Sequence, residues 1–359
     1  MSSKVAVLKT TPETVLEDYG RLMRLADYQA HLPREHETAL KINISWHHWY
    51  PACSTAPWQL EGVVKTMLAD GYAPESLYGA HNRTVVVSAR KGEVANKHKP
   101  VLEKHGIRNI HLYDGEEWVP FTPKHKLRVL GDIFPDGHTI PKRLIGSNII
   151  QLPTMKTHVF TTITGAMKNA FGGLIGERRH WTHARIHETL VDLLAIQKEI
   201  HPGLFAVMDG TFAGDGPGPR CMVPHTPGYI LASADLVAID AIAAKMMGFD
   251  PMTLDFIRIA HDDGLGCGDP AEIDLVGDDI SDVNLGFHGQ QNTFASRGQK
   301  LIYWGPLKCL EKLLLRTFLV PWSYVASRLY HDAYWYPCIG RRRVRQALAT
   351  EWGRLYETY

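Results

Sequence analysis

Segments with strand-like and helix-like patterns alternate along the chain up to about position 285. Short apolar runs are separated by segments in which apolar side chains recur at the three- and four-residue spacing of an amphipathic helix. The predicted strands are 5–8, 39–44, 84–88, 108–113, 148–152, 204–208 and 229–232, with a brief one at 127–130. This alternation predicts an α/β fold in which mixed or mostly parallel sheets are flanked by helices.

The composition is that of a globular protein without a strong net charge. Of the 359 residues, 45% are hydrophobic and 21% are charged, which is enough apolar material for a packed core. The 39 Lys and Arg residues balance 38 Asp and Glu residues, so we expect no nucleic-acid partner. The N-terminus lacks the layout of a signal peptide, and no run of about 18 uncharged apolar residues is present. We therefore expect a cytoplasmic protein.

The cysteines argue against a metal cluster held by thiolates. The five are Cys53, Cys221, Cys267, Cys309 and Cys338, and no two form a C-x-x-C pair. Zinc sites, dithiol redox sites and iron–sulfur clusters usually use such closely spaced pairs. We therefore expect free thiols and no iron–sulfur cluster.

The alternation of strands and helices fades beyond position 285. We expect an α/β core at 1–285, with two lobes that would meet near 148–160, and a helical C-terminal extension at 286–359. Residues 301–359 hold 12 of the 34 aromatic residues and nine Lys and Arg against four Asp and Glu. Three amphipathic helices, broken at Pro321 and Pro337, are predicted there. Two interpretations stay open: a contact with a membrane or a second subunit, or packing on the protein's own core.

Residues 153–187 have an unusual density of groups that carry protons or bind anions. Lys156 and His158 would share one face of an extended segment, because alternate side chains of a strand point the same way. Thr164 and Gly165 would open a helix whose free N–H groups, together with Lys168, could hold a phosphate or carboxylate. The predicted anion-binding residues of this stretch are Thr161, Thr164, Gly165, Lys168, Asn169, Gly172 and Arg178.

Three histidines in the same stretch follow helical spacing. His180, His183 and His187 stand at i, i+3 and i+7, so they would share a helix face if the helix begins that early. A divalent-metal site is then possible, although no acidic residue has a matching position. Use of one or two of them in acid–base chemistry or anion binding is the favoured interpretation.

Two further loops follow predicted strands. His47 and His48 come after the strand at 39–44, and they are either ligands and acid–base groups or ordinary loop residues. Asp209 ends the strand at 204–208 and precedes a loop rich in glycine and proline. Because ligands bind at the carboxyl ends of strands in open α/β sheets, we expect both loops to reach the same cleft as 153–187.

The motif K-x-H-x-F-x-x-x-T-G-x-x-K-N-x-F-G at 156–172 carries a family resemblance. With the G-x-G-P loop at 214–217 and A-S-x-D-x-V-A-x-D at 232–240, it resembles the bacterial and archaeal family catalogued as domain of unknown function 362. That family's K-P-N motif is altered here to Lys41-Ile42-Asn43. The layout is more distantly similar to that of the lactate racemase family. This second resemblance implies a two-domain enzyme that holds a nickel-pincer nucleotide between its domains and uses paired histidines. It also implies a cleft faced by Lys156, His158, Lys168 and His180.

No G-x-S-x-G, P-loop, H-E-x-x-H or G-x-G-x-x-G motif occurs. The first interpretation is therefore an enzyme of the oxidoreductase or isomerase type that binds an anionic small molecule or a nucleotide-like cofactor and transfers a proton or hydride. The predicted catalytic residues are Lys156, His158, His180, His183 and Asp209, and Lys41 and Asn43 join the anion-binding set. The alternative is a non-catalytic binding or scaffold protein that docks to a membrane or partner through 301–359.

Overall fold

A computed structural model describes residues 3–84, 86–289, 291–315, 317 and 320–359. The strands found there are β1 Ser3–Lys9, β2 Thr38–Ile42, β3 Leu77–His81, β4 Arg108–His111, β5 Trp118–Phe121, β6 His138–Pro141, β7 Asn148–Leu152, β8 Thr154–His158, β9 Thr162–Ile163, β10 Leu204–Asp215, β11 Val223–His225, β12 Tyr229–Ser233 and β13 Ile273–Gly277.

The α-helices are α1 Val15–Leu25, α2 Tyr28–His31, α3 Pro57–Ala69, α4 Ala89–Ala95, α5 His98–Lys104, α6 Leu130–Ile133, α7 Gly165–Asn169, α8 Phe171–Leu174, α9 Ile186–Ile200, α10 Leu236–Met247, α11 Asp255–Asp262, α12 Phe294–Tyr303, α13 Glu311–Leu315, α14 Pro321–Arg328, α15 Arg341–Leu348 and α16 Glu351–Glu357. Short 3₁₀ turns lie at Pro74–Ser76, Lys142–Leu144, Glu177–Arg185, Pro251–Thr253 and Lys308–Leu310, and a π-helical segment spans Leu329–Gly340.

One large, mostly parallel sheet organises the described chain. Its strand order is β13-β1-β12-β10-β7-β2-β3-β4, with β11 and β8 paired to β10, and β9 paired to β8. Along the main order β12 alone runs against its neighbours β1 and β10. Strands β5 and β6 form a separate antiparallel pair. The predicted α/β fold with a mostly parallel sheet and a helical C-terminal region is confirmed.

Apolar side chains pack on both faces of this sheet. Helices α7, α9, α10 and α11 bury their apolar residues on one face, and α1, α3 and α5 bury theirs on the other. The C-terminal region contributes to both sides: Tyr303 and Leu315 join the first cluster, and Trp335 and Trp352 join the second. Within the described residues, every helix is too short or too polar to span a bilayer.

The strand predicted at 84–88 is wrong. The strand is Leu77–His81, and the β-branched run that follows is a loop, in which Val85 lies outside the described residues. Thr84 Oγ1 accepts a hydrogen bond from the Val87 N–H at 2.8 Å, and such a local turn competes with sheet pairing. Ser88 then caps α4.

The brief strand predicted at 127–130 is also wrong. Both carboxylate oxygens of Asp192 accept N–H groups of this segment, from Arg128 at 2.7 Å and from Val129 and Leu130 at 2.9 Å each. These groups are therefore unavailable to a sheet partner, and the chain turns into α6.

The predicted helix break at Pro337 is wrong, whereas the one at Pro321 is a helix start. Pro321 occupies the first turn of α14, where its missing N–H costs nothing. Pro337 lies inside the π-helical segment, which runs on into α15. A proline inside an α-helix clashes with the carbonyl four residues before it, whereas the backbone here follows the wider π-helical path and continues into α15.

Candidate functional site

A cavity of about 310 Å³ lies where β2, β3 and β8 end. The loop after β2 supplies Asn43 and Ser45, the loop after β3 supplies Asn82, and β8 supplies His158. Parallel strands place their carboxyl ends at one edge of the sheet, so these segments converge. Helices α12 and α14 cover the cavity from the C-terminal region.

The lining of this cavity is strongly basic. Lys41, Lys168, Arg179 and Arg220 contribute cationic side chains, whereas no Asp or Glu stands among the lining residues that the structure describes. Several cations on one concave surface produce a positive potential that a small anion would neutralise. The four come from separate segments of the chain, and the fold brings them together.

Lys41 is buried at the end of β2, with a relative exposure of 1%. Its Nζ donates to the Ile42 carbonyl at 2.8 Å and to Asn82 Oδ1 at 3.1 Å. Burial, with Arg179 as a nearby cation, lowers the pKa of Lys41 to about 7. Its two partners are neutral, so the charge of Lys41 is solvated but not balanced.

Lys168 and Arg220 have fewer contacts still. The structure gives neither side chain a hydrogen bond or ion pair with another described residue, and Lys168 Nζ lies 4.9 Å from the centre of the Phe171 ring. Burial lowers the pKa of Lys168 to about 7, helped by Lys156 and Arg179. Burial also lowers the pKa of Arg220. Both groups therefore have unused donors on the cavity side.

His158 is held in one tautomer. Its Nδ1 accepts the backbone N–H groups of Phe160 at 3.1 Å and Thr161 at 3.4 Å, so the ring proton must be on Nε2. Burial, with Lys168 nearby, places the pKa of His158 well below its ordinary value. His158 therefore presents a neutral N–H donor, and the described residues offer that Nε2 no acceptor.

His183 has the opposite arrangement. Its Nδ1 lies 3.2 Å from the His180 carbonyl oxygen. Because a carbonyl can only accept, Nδ1 carries the proton and Nε2 is a free base. Burial lowers the pKa of His183 to about 3. The His183 ring stacks on the Tyr303 ring. The rings of His183 and His158 both contact the ring of Phe160. A neutral donor and a neutral acceptor thus line the same cavity.

His180 connects the site to the C-terminal region. Its Nε2 donates to the Leu315 carbonyl at 2.8 Å, and its own carbonyl accepts the Tyr303 hydroxyl at 3.1 Å. His187 does not line the cavity, and the centre of its ring lies 6.0 Å from that of Phe256. The segment at 180–185 is 3₁₀-helical and becomes α-helical only at Ile186, so the three histidines do not share one face.

The prediction that the first N–H groups of α7 are free to bind an anion is wrong. The Asp240 carboxylate accepts the N–H groups of Ala166 at 2.5 Å and Met167 at 3.0 Å, and these donors are therefore occupied. Gly165 has a φ of +69°, and a Cβ at this position would overlap the Asp240 carboxylate. Thr164 does line the cavity, and its buried hydroxyl oxygen has no partner among the described residues.

Of the other predicted residues, some bond to residues of the cavity wall and some line the cavity. Lys156 Nζ donates to the Cys53 carbonyl at 2.5 Å and to Ser45 Oγ at 3.1 Å, and burial lowers its pKa to about 8. Thr161 Oγ1 lies 3.2 Å from His158 Nδ1. Asn43, Asn169 and Gly172 line the cavity itself.

Asp209 and Arg178 lie away from the cavity. Strand β10 continues to Asp215, so Asp209 is not at a strand end. The Asp209 carboxylate accepts hydrogen bonds from the Tyr19 hydroxyl at 2.6 Å and from Trp58 Nε1 at 3.1 Å, on the face of the sheet that packs against α1 and α3. Arg178 is exposed beside Trp181, and its neighbour Arg179 lines the cavity instead. Their predicted roles in the site are therefore not supported.

Sequence reasoning missed Arg179, Arg220 and the contribution of the C-terminal region. Ser323, Tyr324 and Ser327 of the α14 helix line the cavity, as do residues of α12. Arg220 follows the G-x-G-P loop, whose composition suits close approach to a ligand, and that loop is the signal available for it. Nothing in the local pattern of 294–331 indicates a cavity wall.

Two groups in the described part of the chain bring three possible metal ligands within 4.8 Å of one another. They are His47, His48 and Asp332, and His261, Cys267 and Glu272. His180, His183 and His187 do not form such a group. The first group is a set of two imidazoles and a carboxylate, which suits a first-row transition metal. The Asp332 carboxylate also accepts Trp46 Nε1 at 2.7 Å.

Comparison with known proteins supports the resemblance seen in the motifs. The family model for the domain of unknown function DUF362 matches residues 38–245, more than half of the chain. The chain belongs to the DUF362 family. The matched range includes β2, β8, α7 and Arg220, whereas α12 and α14 over the cavity lie outside it.

A thylakoid-associated protein of the cyanobacterium Synechocystis is 34% identical over 113 residues. The alignment covers 30% of this DUF362 chain and 34% of the relative, so the chain spans about a third of that protein's length. The similarity to lactate racemases stays a prediction.

Proposed function

We propose that this DUF362 protein is an enzyme that binds a small anion in the basic cavity and transfers a proton on it. The observation that carries the proposal is the lining itself: four cationic side chains, with no carboxylate among the lining residues described. Two of these cations, Lys41 and Lys168, have pKa values of about 7 in the absence of a ligand. An anion would favour their protonated forms, so anion binding and proton uptake would be coupled.

The two histidines supply a donor and an acceptor for such chemistry. His158 would donate through Nε2, and His183 would accept through Nε2. Both rings are neutral around pH 7, because burial lowers their pKa values. A positioned pair of this kind can protonate one atom of a substrate and deprotonate another, which is the chemistry of an isomerase. Lys168, when neutral, is a further base.

The cavity volume suits a small substrate. About 310 Å³ lies at the small end of the range of ligand pockets, which runs from roughly 300 to 1,000 Å³. Lys168, Arg179 and Arg220 would also suit the phosphates of a nucleotide-like cofactor, which would supply hydride chemistry. The alternative is a protein that binds an anion in the same cavity but catalyses no reaction.

The test separates binding from catalysis. We expect inorganic phosphate to raise the thermal midpoint of the protein, and Lys168→Met to abolish that rise. Small carboxylates and phosphate esters are then incubated with protein in D₂O, and deuterium incorporation is followed by NMR. His158→Ala and His183→Ala should each reduce exchange at least about a hundredfold, the usual contribution of a general acid or base.

Asp209→Asn serves as the matched control, because Asp209 is buried but distant from the cavity. Phosphate binding without any exchange across the substrate panel would support the non-catalytic alternative. Absence of phosphate binding would contradict the proposal as a whole.

A further inference from the structure

Two helices of the C-terminal region face the solvent with their apolar sides. In α14 and the residue after it, Trp322, Val325 and Leu329 are exposed to 45%, 56% and 60% of their surfaces. These positions stand at i, i+3 and i+7, which is one face of a helix. The opposite face carries Ser323, Tyr324, Ser327 and His331, which line the cavity.

Helix α12 repeats the arrangement. Phe294 and Leu301 are exposed on one side, whereas Ser296, Gln299 and Tyr303 line the cavity on the other. A helix at the surface of a globular protein normally buries its apolar face and exposes its polar one. Helix α14 does the reverse. Helix α12 does so in part, because it exposes Phe294 and Leu301 but buries Ile302 and Tyr303. A second apolar environment is therefore expected outside the two helices.

The exposed apolar residues are concentrated in this region. Ten of the fourteen large apolar side chains that are exposed in the described residues fall between 294 and 334. They include Leu301, Trp304, Leu307, Leu310 and Leu313, one at every third position. We call the solvent side of the residues that the structure describes between 294 and 329 the outer face of the cap. Such a concentration of exposed apolar side chains is typical of a contact with a membrane or another protein.

The charges beside the apolar residues favour an anionic membrane. Arg297, Lys308, Lys312 and Arg328 are exposed in the same segment, and its one acidic residue, Glu311, is buried. A basic amphipathic surface with exposed tryptophans is typical of helices that lie in the interface of an anionic bilayer. A protein partner would more often meet an apolar patch with a mixed polar rim.

The outer face is joined directly to the site. Tyr303 and Leu315 contact the two ends of His180, and the Trp304 indole N–H donates to the Ala184 carbonyl at 3.0 Å. The cap is thus held against the segment that carries His183. A bilayer on its outer side would lie one helix layer away from the basic cavity.

We propose that the outer face of the cap rests on an anionic bilayer, and that the ligand of the cavity is an amphiphilic anion taken from that bilayer. The anionic group would bind Lys41, Lys168 and Arg220, and the apolar chain would leave the cavity past the edge of the cap and lie along its outer face. The second half of this proposal rests on the proposed anion-binding function. The first half stands without it.

The test of docking is vesicle flotation with the full-length protein. Vesicles of equal parts phosphatidylcholine and phosphatidylglycerol should carry the protein upward, and vesicles of phosphatidylcholine alone should carry much less. The double variant Trp322→Ser, Val325→Ser should lower the bound fraction at least about tenfold, because two apolar side chains no longer enter the interface. Val94→Ser, at an exposed valine outside the cap, is the control.

The test of the ligand class compares soluble dihexanoyl phosphatidic acid with inorganic phosphate in thermal-shift titrations. We expect the short lipid to bind more tightly than phosphate, and the double variant to lose that advantage but keep phosphate binding. Lys168→Met should lose both ligands and still float. Equal affinity for lipid and phosphate would overturn the ligand class alone.

Equal flotation of the double variant, or no flotation of the wild type, would overturn docking. A concentration-dependent dimer that the double variant dissolves, found without flotation, would also overturn it and assign the outer face to a second copy. Flotation without binding of either anion would instead overturn the proposed function and leave docking in place.

Discussion

Replacement of Lys41 by methionine tests whether the cavity stores positive charge for an anion. Lys41 is buried and lacks a carboxylate partner, and its pKa falls from 10.5 to about 7. Since one pKa unit corresponds to about 1.4 kcal/mol, the protonated side chain costs the folded protein on the order of 5 kcal/mol. Methionine removes this cost but also the bonds to Ile42 and Asn82, each worth about 1 kcal/mol. We therefore expect Lys41→Met to raise the free energy of unfolding by about 3 kcal/mol at pH 7.

The pH dependence follows from the sign of the shift. Between pH 7 and 10.5, unfolded Lys41 holds its proton and folded Lys41 has lost it, so the unfolded state binds more protons and stability rises with pH. Below pH 7 the full cost is present in the wild type. Lys41→Met should lack this contribution, which reaches about 1.4 kcal/mol per pH unit. Urea unfolding at pH 6.5, 8 and 9.5 measures the difference, with the exposed Lys65→Met as control.

Phosphate should narrow the difference in stability between the wild type and Lys41→Met. It stabilises a binding-competent protein by about 2.7 kcal/mol at a hundred times its Kd, and loss of one charge-assisted bond should weaken binding by about one to two orders of magnitude. Wild type in phosphate should therefore gain more than Lys41→Met does. Two results together would contradict the idea that Lys41 is an unbalanced charge kept for an anion. Lys41→Met would be less stable than the wild type without phosphate, and phosphate would stabilise both proteins equally.

Three further predictions concern single contacts. Asp240→Asn should lower the free energy of unfolding by about 1–3 kcal/mol, because one N–H at the start of α7 loses its acceptor. Urea titration measures the change, and unchanged stability would show that Asp240 does not have this role. Gly165→Ala should destabilise by a similar or larger amount through its positive φ and the close Asp240 carboxylate, which the same titration measures. His180→Ala should loosen the cap, because the bond from His180 Nε2 to the Leu315 carbonyl is lost while the bond from Tyr303 to the backbone carbonyl of residue 180 stays. The expected result is faster hydrogen exchange near Leu315 by mass spectrometry, with Thr253→Ala as a distant control.

Much of the sheet can be predicted from the sequence because its strands are buried on both faces. The mainly apolar segments of β2, β7 and β10 have the composition of strands buried on both faces. The apolar residues of α9 recur at helical spacing over Ile186–Ile200. Strand β3 escapes prediction because Leu77–His81 contains a glycine and a histidine, and the adjacent valine run has the higher β propensity. There a local turn made by Thr84 outweighs that propensity.

The site can be predicted only in part, since it depends on which groups become paired. His158, Lys168 and Lys41 lie in the cavity as expected from strand ends. The amide groups at the start of α7 look available in the sequence, but Asp240, which is 74 positions away from Ala166, occupies them. Asp209 resembles a strand end because the apolar run stops there, although β10 continues to Asp215. Pairing over such distances is a property of the folded chain and leaves no local pattern.

The helices that cover the cavity show that an amphipathic pattern alone does not reveal which face of a helix is buried. The periodicity of α14 correctly predicts an amphipathic helix. It does not say which face points inward, and the usual assumption would bury Trp322 and Val325. The cavity supplies the missing information. Buried basic groups need a polar cover, so the serine and tyrosine face of α14 turns toward the cavity that holds Lys168 and Arg220, and the apolar face must turn outward. The charge of the site therefore sets the orientation of the cap, and the exposed apolar surface is its consequence.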